Sequence, residues 1–166
     1  ILDEYFHNNN VSIVGVSAGV VVSNVFGVEK HPFVQVLEYL KEKERQLVIA
    51  GGVIATNEWQ GILRRELAHF VFKGEAEDEL TFFMKKLVEG DAGRPLSGIC
   101  FKSEGTIHET AGDVSVVDFN WNLVETYKDI PIERYHEVGS LSPFSRMLGT
   151  DRIYSTIHLN RGCRAN

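Results

Sequence analysis

The sequence predicts an α/β fold, a parallel sheet with helices on both faces. Three observations carry this. Short apolar runs recur at residues 11–16 (VSIVGV), 46–50 (QLVIA) and 69–73 (HFVFK). None alternates polar with apolar, so each reads as a strand buried on both faces. Amphipathic stretches of helical spacing separate the last two runs and follow the third, and a further one precedes the second.

The chain begins inside what reads as a helix. After the first strand comes a Ser/Ala/Gly turn and an irregular apolar stretch to Lys30. His31-Pro32 opens the next helix, since proline suits a first helical position. Phe33, Val36, Leu37 and Leu40 form its apolar stripe, and 41–45 is its solvated end. Gly51-Gly52 closes the second strand. Thr56 or Asn57 is the expected cap of a helix that carries Trp59, Ile62, Leu63 and Leu67 on one face. The third strand ends at Gly74. Asp78 or Glu79 opens a third helix with Leu80, Phe83, Met84, Leu87 and Val88 at helical spacing, and Gly90 stops it. Three parallel strands make a thin sheet, so one or two further strands are expected before Ile1. Residues 98–102 and 106–109 read as a β-hairpin, 111–150 as a connector, and 152–159 (RIYSTIHL) as a strand.

Composition bounds the function. The 166 residues are 43% hydrophobic and 24% charged, enough apolar material for about one domain. Seventeen basic against 23 acidic residues give a net charge of −6, with the basic residues scattered. That excludes a phosphate-tracking surface, so no nucleic-acid partner is expected. No apolar run approaches the ~20 residues of a membrane span, so no membrane partner is expected either. Two cysteines, Cys100 and Cys163, form no disulfide framework, which suits a cytoplasmic protein.

Several constellations have chemical readings. Gly15-Val16-Ser17-Ala18-Gly19 matches G-x-S-x-G, the elbow that exposes a nucleophilic serine. Asp118 with His136 or His158 would complete a triad. Against it, Val20-Val21-Val22 and Gly27 are poor material for the helix that an elbow needs. A small-residue turn at a strand end is favoured instead, and such turns are also where open α/β sheets bind ligands. Gly51-Gly52 either lets a ligand approach the backbone or makes a tight strand-to-helix turn. The histidines, His7, His31, His69, His108, His136 and His158, show no metal-ligand spacing. His31 is placed near the ligand edge of the sheet.

The order of these pieces resembles the cobalamin-binding/radical-SAM family at the junction of its two domains. The resemblance rests on a strand ending in Ser17, a strand ending in Gly51-Gly52, and Lys73-Gly74-Glu75-Ala76-Glu77. The hairpin GICFKSEGTIHET, the connector around Trp121 and the closing Arg161-Gly162-Cys163 follow in order. It implies a flavodoxin-like domain over 1–90, incomplete at its N-terminus, a hairpin and linker over 91–150, and the first strand of a truncated radical-SAM barrel over 151–166. It further implies that Ser17, Gly19, Gly51, Gly52, Gly74 and Glu75 embrace the nucleotide tail of cobalamin. Cys163 matches the first ligand of a four-iron cluster that binds S-adenosylmethionine in the parent enzyme. The second and third cluster cysteines are absent, so the fragment is expected to be non-catalytic. The Asp-x-His-x-x-Gly motif for an axial cobalt ligand is absent, and Ala76 replaces a customary glycine. The alternatives are a docking module that binds no cobalamin and, behind it, a serine hydrolase using Ser17.

Overall fold

The computed structural model describes residues 2–18, 31–90, 96–111, 128, 131 and 134. The chain divides into two compact units, Ile1–Val117 and Asp118–Asn166. All the elements named below belong to the first. In the second, Arg134 N–H donates to the Pro131 carbonyl.

Helix α1 (Leu2–Asn8) precedes strand β1 (Ile13–Ser17). Helix α2 (Pro32–Lys43) leads to strand β2 (Leu47–Gly51), which passes directly into α3 (Gly52–Arg64). Strand β3 (Phe70–Phe72) and helix α4 (Glu77–Glu89) follow, then the hairpin strands β4 (Ile99–Ser103) and β5 (Thr106–Glu109). The five strands form one sheet in the order β1-β2-β3-β4-β5. β1, β2 and β3 run parallel, as the sequence predicts. The hairpin does not stand apart from this sheet. It continues it, with β4 antiparallel to β3 and β5 antiparallel to β4. The sheet is therefore mixed.

Both faces are covered. Phe33, Leu37 and Leu40 of α2 pack with Ile54, Ala55, Ile62 and Leu63 of α3 on Val48, Ala50, Val71 and Cys100. On the other face Phe83 of α4 meets Ile49, Phe72 and Ile99. Successive residues of β2 thus enter opposite cores, which explains its unbroken apolar sequence. Each fully buried aliphatic side chain contributes about 1.5–3 kcal/mol. The apolar stripe of α4 is only partly used: Leu80, Leu87 and Val88 stay exposed.

Short polar hooks pin the loops. His31 caps α2, its Nδ1 accepting from Phe33 N–H at 3.3 Å. His31 therefore has a local structural role. His69 N–H donates to the Val48 carbonyl, and Val48 N–H donates back to His69 Nδ1 at 3.0 Å. That imidazole replaces a ladder partner at the start of β3. The buried Glu79 accepts from Ser97 N–H, holding the approach to β4 against α4.

Among the described residues, three glutamates adopt left-handed backbone: Glu44, Glu66 and Glu104. Glu44 and Glu66 end helices where glycine is usual. Glu104 and Gly105 are the two hairpin residues, with φ of 49° and 79°. Positive φ at both positions is the type I′ turn, which favours Asn-Gly. Glu104→Asn should therefore raise the unfolding free energy by about 0.5–1 kcal/mol, read as a higher urea midpoint at unchanged slope.

Candidate functional site at the carboxyl edge of the parallel strands

In an open α/β sheet the strand ends that lead into helices form the ligand-binding edge. The pairing of β1 with β2 sets Ser17 opposite Gly51 on that edge. The helix after β2 starts at once, at Gly52, four residues before the expected Thr56 cap. Gly51 is its N-cap, and no side chain caps its first turn.

The two glycines differ in kind. Gly52 has φ of +83°, and a Cβ there would lie 2.7 Å from the Ala18 carbonyl and 2.8 Å from Ser17 Oγ. The space over Gly52 is filled by the end of β1, and Ile54 N–H donates to the Ala18 carbonyl at 3.4 Å. Gly52 is thus a close backbone approach between neighbouring turns. Among the described residues, nothing lies within 4 Å of a Cβ placed on Gly51. Gly51 lies beside the exposed Ser17.

The third turn joins the edge through α3. Gly74, with φ of +66°, donates its N–H to Thr56 Oγ1 at 2.9 Å. Glu75 follows it into the acidic first turn of α4, where Glu77 and Asp78 favour the helix dipole. Gly19 and Cys163 lie outside the described residues, as do Asp118, His136 and His158. Ser17 is the last residue of a regular strand. It is not among the described non-glycine residues with positive φ, so it lacks the strained turn of a nucleophile elbow.

The sequence reading missed a corner beside this edge. Lys73 pairs with Glu109 of β5, across the intervening strand β4, and its ammonium sits 5.2 Å from the Trp59 ring centroid. The Glu109 carboxylate holds the Lys73 ammonium above its usual range. Beneath them Cys100 is fully buried. Burial first, and the Glu109 charge second, push its thiol up to about 11, with Lys73 opposing. Only the pairing of the hairpin with β3 brings these residues together, and no local motif announces it. Among the described residues no group of three metal-ligating side chains occurs. Nor does any described helix have the length and apolarity to cross a membrane.

Comparison with known proteins adds no relative: no family model matches the chain, and no significant match is found among curated proteins or solved structures. The class that the fold defines is an α/β unit with a mixed five-stranded sheet.

Two predictions follow from this geometry. Gly52→Ala should lower stability by more than about 1–2 kcal/mol, combining left-handed strain with a clash. Gly51→Ala, with open space and an extended backbone, should cost little, and urea unfolding of both variants checks the contrast. The second concerns alkaline pH. A thiol whose pKa is higher folded than unfolded contributes stability that is full below about pH 9 and is lost as pH rises through about 11. Cys100→Ala should flatten the decline in urea midpoint between those values.

Proposed function

We propose that the α/β unit is a cobalamin-binding domain of a radical S-adenosylmethionine enzyme, cradling the nucleotide tail of the cofactor. The observation that supports this best is that, among the described residues, nothing occupies the space over Gly51, level with the exposed Ser17. In this reading Gly51 leaves room for the tail, and Ser17 offers it a hydrogen bond. The uncapped first turn of α3 supplies backbone N–H groups toward a negatively charged portion. Gly74 and Glu75 flank the tail, held in place by Thr56. Gly19 would complete the first turn. These groups bind and orient; none moves a proton or a methyl group.

Bound cobalamin would supply the organometallic chemistry of the parent enzyme, whose cluster would begin at Cys163. The unit itself is non-catalytic in this reading, with its barrel partner in the same parent chain and its place in the cytoplasm.

One observation favours the second reading, a docking module without cobalamin. Gly52 is fully accounted for by packing against Ser17 and Ala18, so one of the two signature glycines needs no ligand.

Titration of the protein into cobalamin, followed by visible absorption, separates the two. Saturable binding is expected, weakened roughly tenfold or more by Gly51→Leu, whose side chain would fill the free space. Absence of binding by protein with native circular dichroism would overturn the cofactor role and leave the docking module.

A further inference from the structure

The lateral margin of the sheet formed by β1 has a feature that the proposed cofactor role does not use. Ser12 turns its carbonyl to β2, accepting from Leu47 N–H at 2.8 Å. Alternate residues of a paired strand turn their backbone groups to opposite sides, so Val14 and Val16 also serve β2. Ile13, Gly15 and Ser17 point theirs outward, and among the described residues these backbone groups have no partner. A bare row of N–H and C=O groups is a template for another strand, and proteins guard such rows with charge, proline or a bulge. β1 (IVGVS) has no charge and no proline, and its register with β2 runs without a bulge.

The helix beside this margin is equally unguarded. α2 meets α3 through Glu38 and Lys41, both on Arg65, and meets α1 through Tyr39 and Lys43, both on Asp3. The two pairs lie on opposite sides of α2. α3 lies toward β3, so α1 lies toward the free margin of β1. No residue of α1 is buried, and Leu2 and Tyr5, one turn apart, are 42% and 56% exposed.

A row of alternating donors and acceptors fits a copy of itself. About a two-fold axis at Gly15, two β1 strands run antiparallel, with Gly15 opposite Gly15 and Ile13 opposite Ser17. Gly15 brings no side chain to the axis, and each α1 brings Leu2 and Tyr5 toward it. We propose that a second copy of this chain pairs here, β1 antiparallel to β1, making one sheet continuous across both copies. The pairing uses the backbone of Ser17, not its hydroxyl, and is independent of the cofactor reading.

Analytical ultracentrifugation over a range of concentrations tests it, with a shift from monomer to dimer mass expected. Gly15→Pro removes the outward donor at the axis and no bond to β2, and proline is tolerated where a strand's N–H faces outward. It should raise the dissociation constant tenfold or more. Tyr5→Glu, at an exposed position, should raise it severalfold with unchanged circular dichroism. Amide hydrogen exchange reads the same contact in the unmodified protein, should the proline variant not fold. Exchange at Gly15 should slow as concentration rises, while Val14 and Val16, bonded to β2, stay slow throughout. A monomer at every concentration would overturn the proposal, and protection of Gly15 N–H in that monomer would assign the margin to another segment of the chain. A dimer that neither substitution weakens would overturn it too, by placing the interface elsewhere.

Discussion

The contact of Gly52 with the end of β1 is the constraint on which the carboxyl edge depends. β2 passes into α3 with no intervening loop, which requires a left-handed residue at the junction. A side chain there would collide with the Ala18 carbonyl and Ser17 Oγ. Glycine lets the two turns touch, and the contact fixes where α3 starts. Ile54 and Ala55 then fall into the core only two residues beyond the turn. The neighbouring Gly51 makes no such contact: among the described residues nothing lies within 4 Å of a Cβ placed there.

The rest of the unit is held by single side chains that satisfy single backbone groups. His69 completes Val48, Thr56 completes Gly74, and Thr110 both accepts from Ile99 N–H and donates to its carbonyl. The first two hooks sit at the ends of the parallel strands, where β3 has only three residues, and the third sits at the open end of the antiparallel hairpin. Buried backbone groups need partners whether or not a ladder supplies them. A short-stranded sheet therefore depends on polar residues at its loop ends, beyond its apolar core.

Much of the fold was legible because period and punctuation agreed. The three parallel strands fell on the apolar runs, and α2 fell on the Phe33, Leu37, Leu40 stripe behind Pro32. What was not legible was long-range. Nothing in GICFKSEGTIHET says that its first strand pairs with residues 70–72, so the mixed sheet and the Lys73–Glu109 pair were invisible. The α3 start was missed because Thr56 and Asn57 look like caps, whereas the cap is a bare glycine. Leu80, Leu87 and Val88 have helical spacing, yet spacing cannot tell a covered face from an exposed one. At the candidate site, Ser17, Gly51 and Gly52 were visible as strand ends. The different tasks of the two glycines were not, because that difference lies in the position of Ala18.

The polarity of the edge decides which part of it can receive an anionic ligand. On the β3 side, Glu75, Glu77 and Asp78 crowd the entry to α4, and the Lys73 ammonium is spent on Glu109 and Trp59. Among the described residues, that corner is the more acidic part of the edge. On the β1–β2 side the described residues carry no acidic group at the edge, and α3 begins without a side-chain cap. Backbone N–H groups there favour negative charge. Among the described residues, the contact-free Gly51 and the uncapped start of α3 thus adjoin one another. Under the proposed cofactor role, a phosphate-bearing ligand would have its anionic group between Ser17 and the start of α3, and its neutral portion toward Gly74.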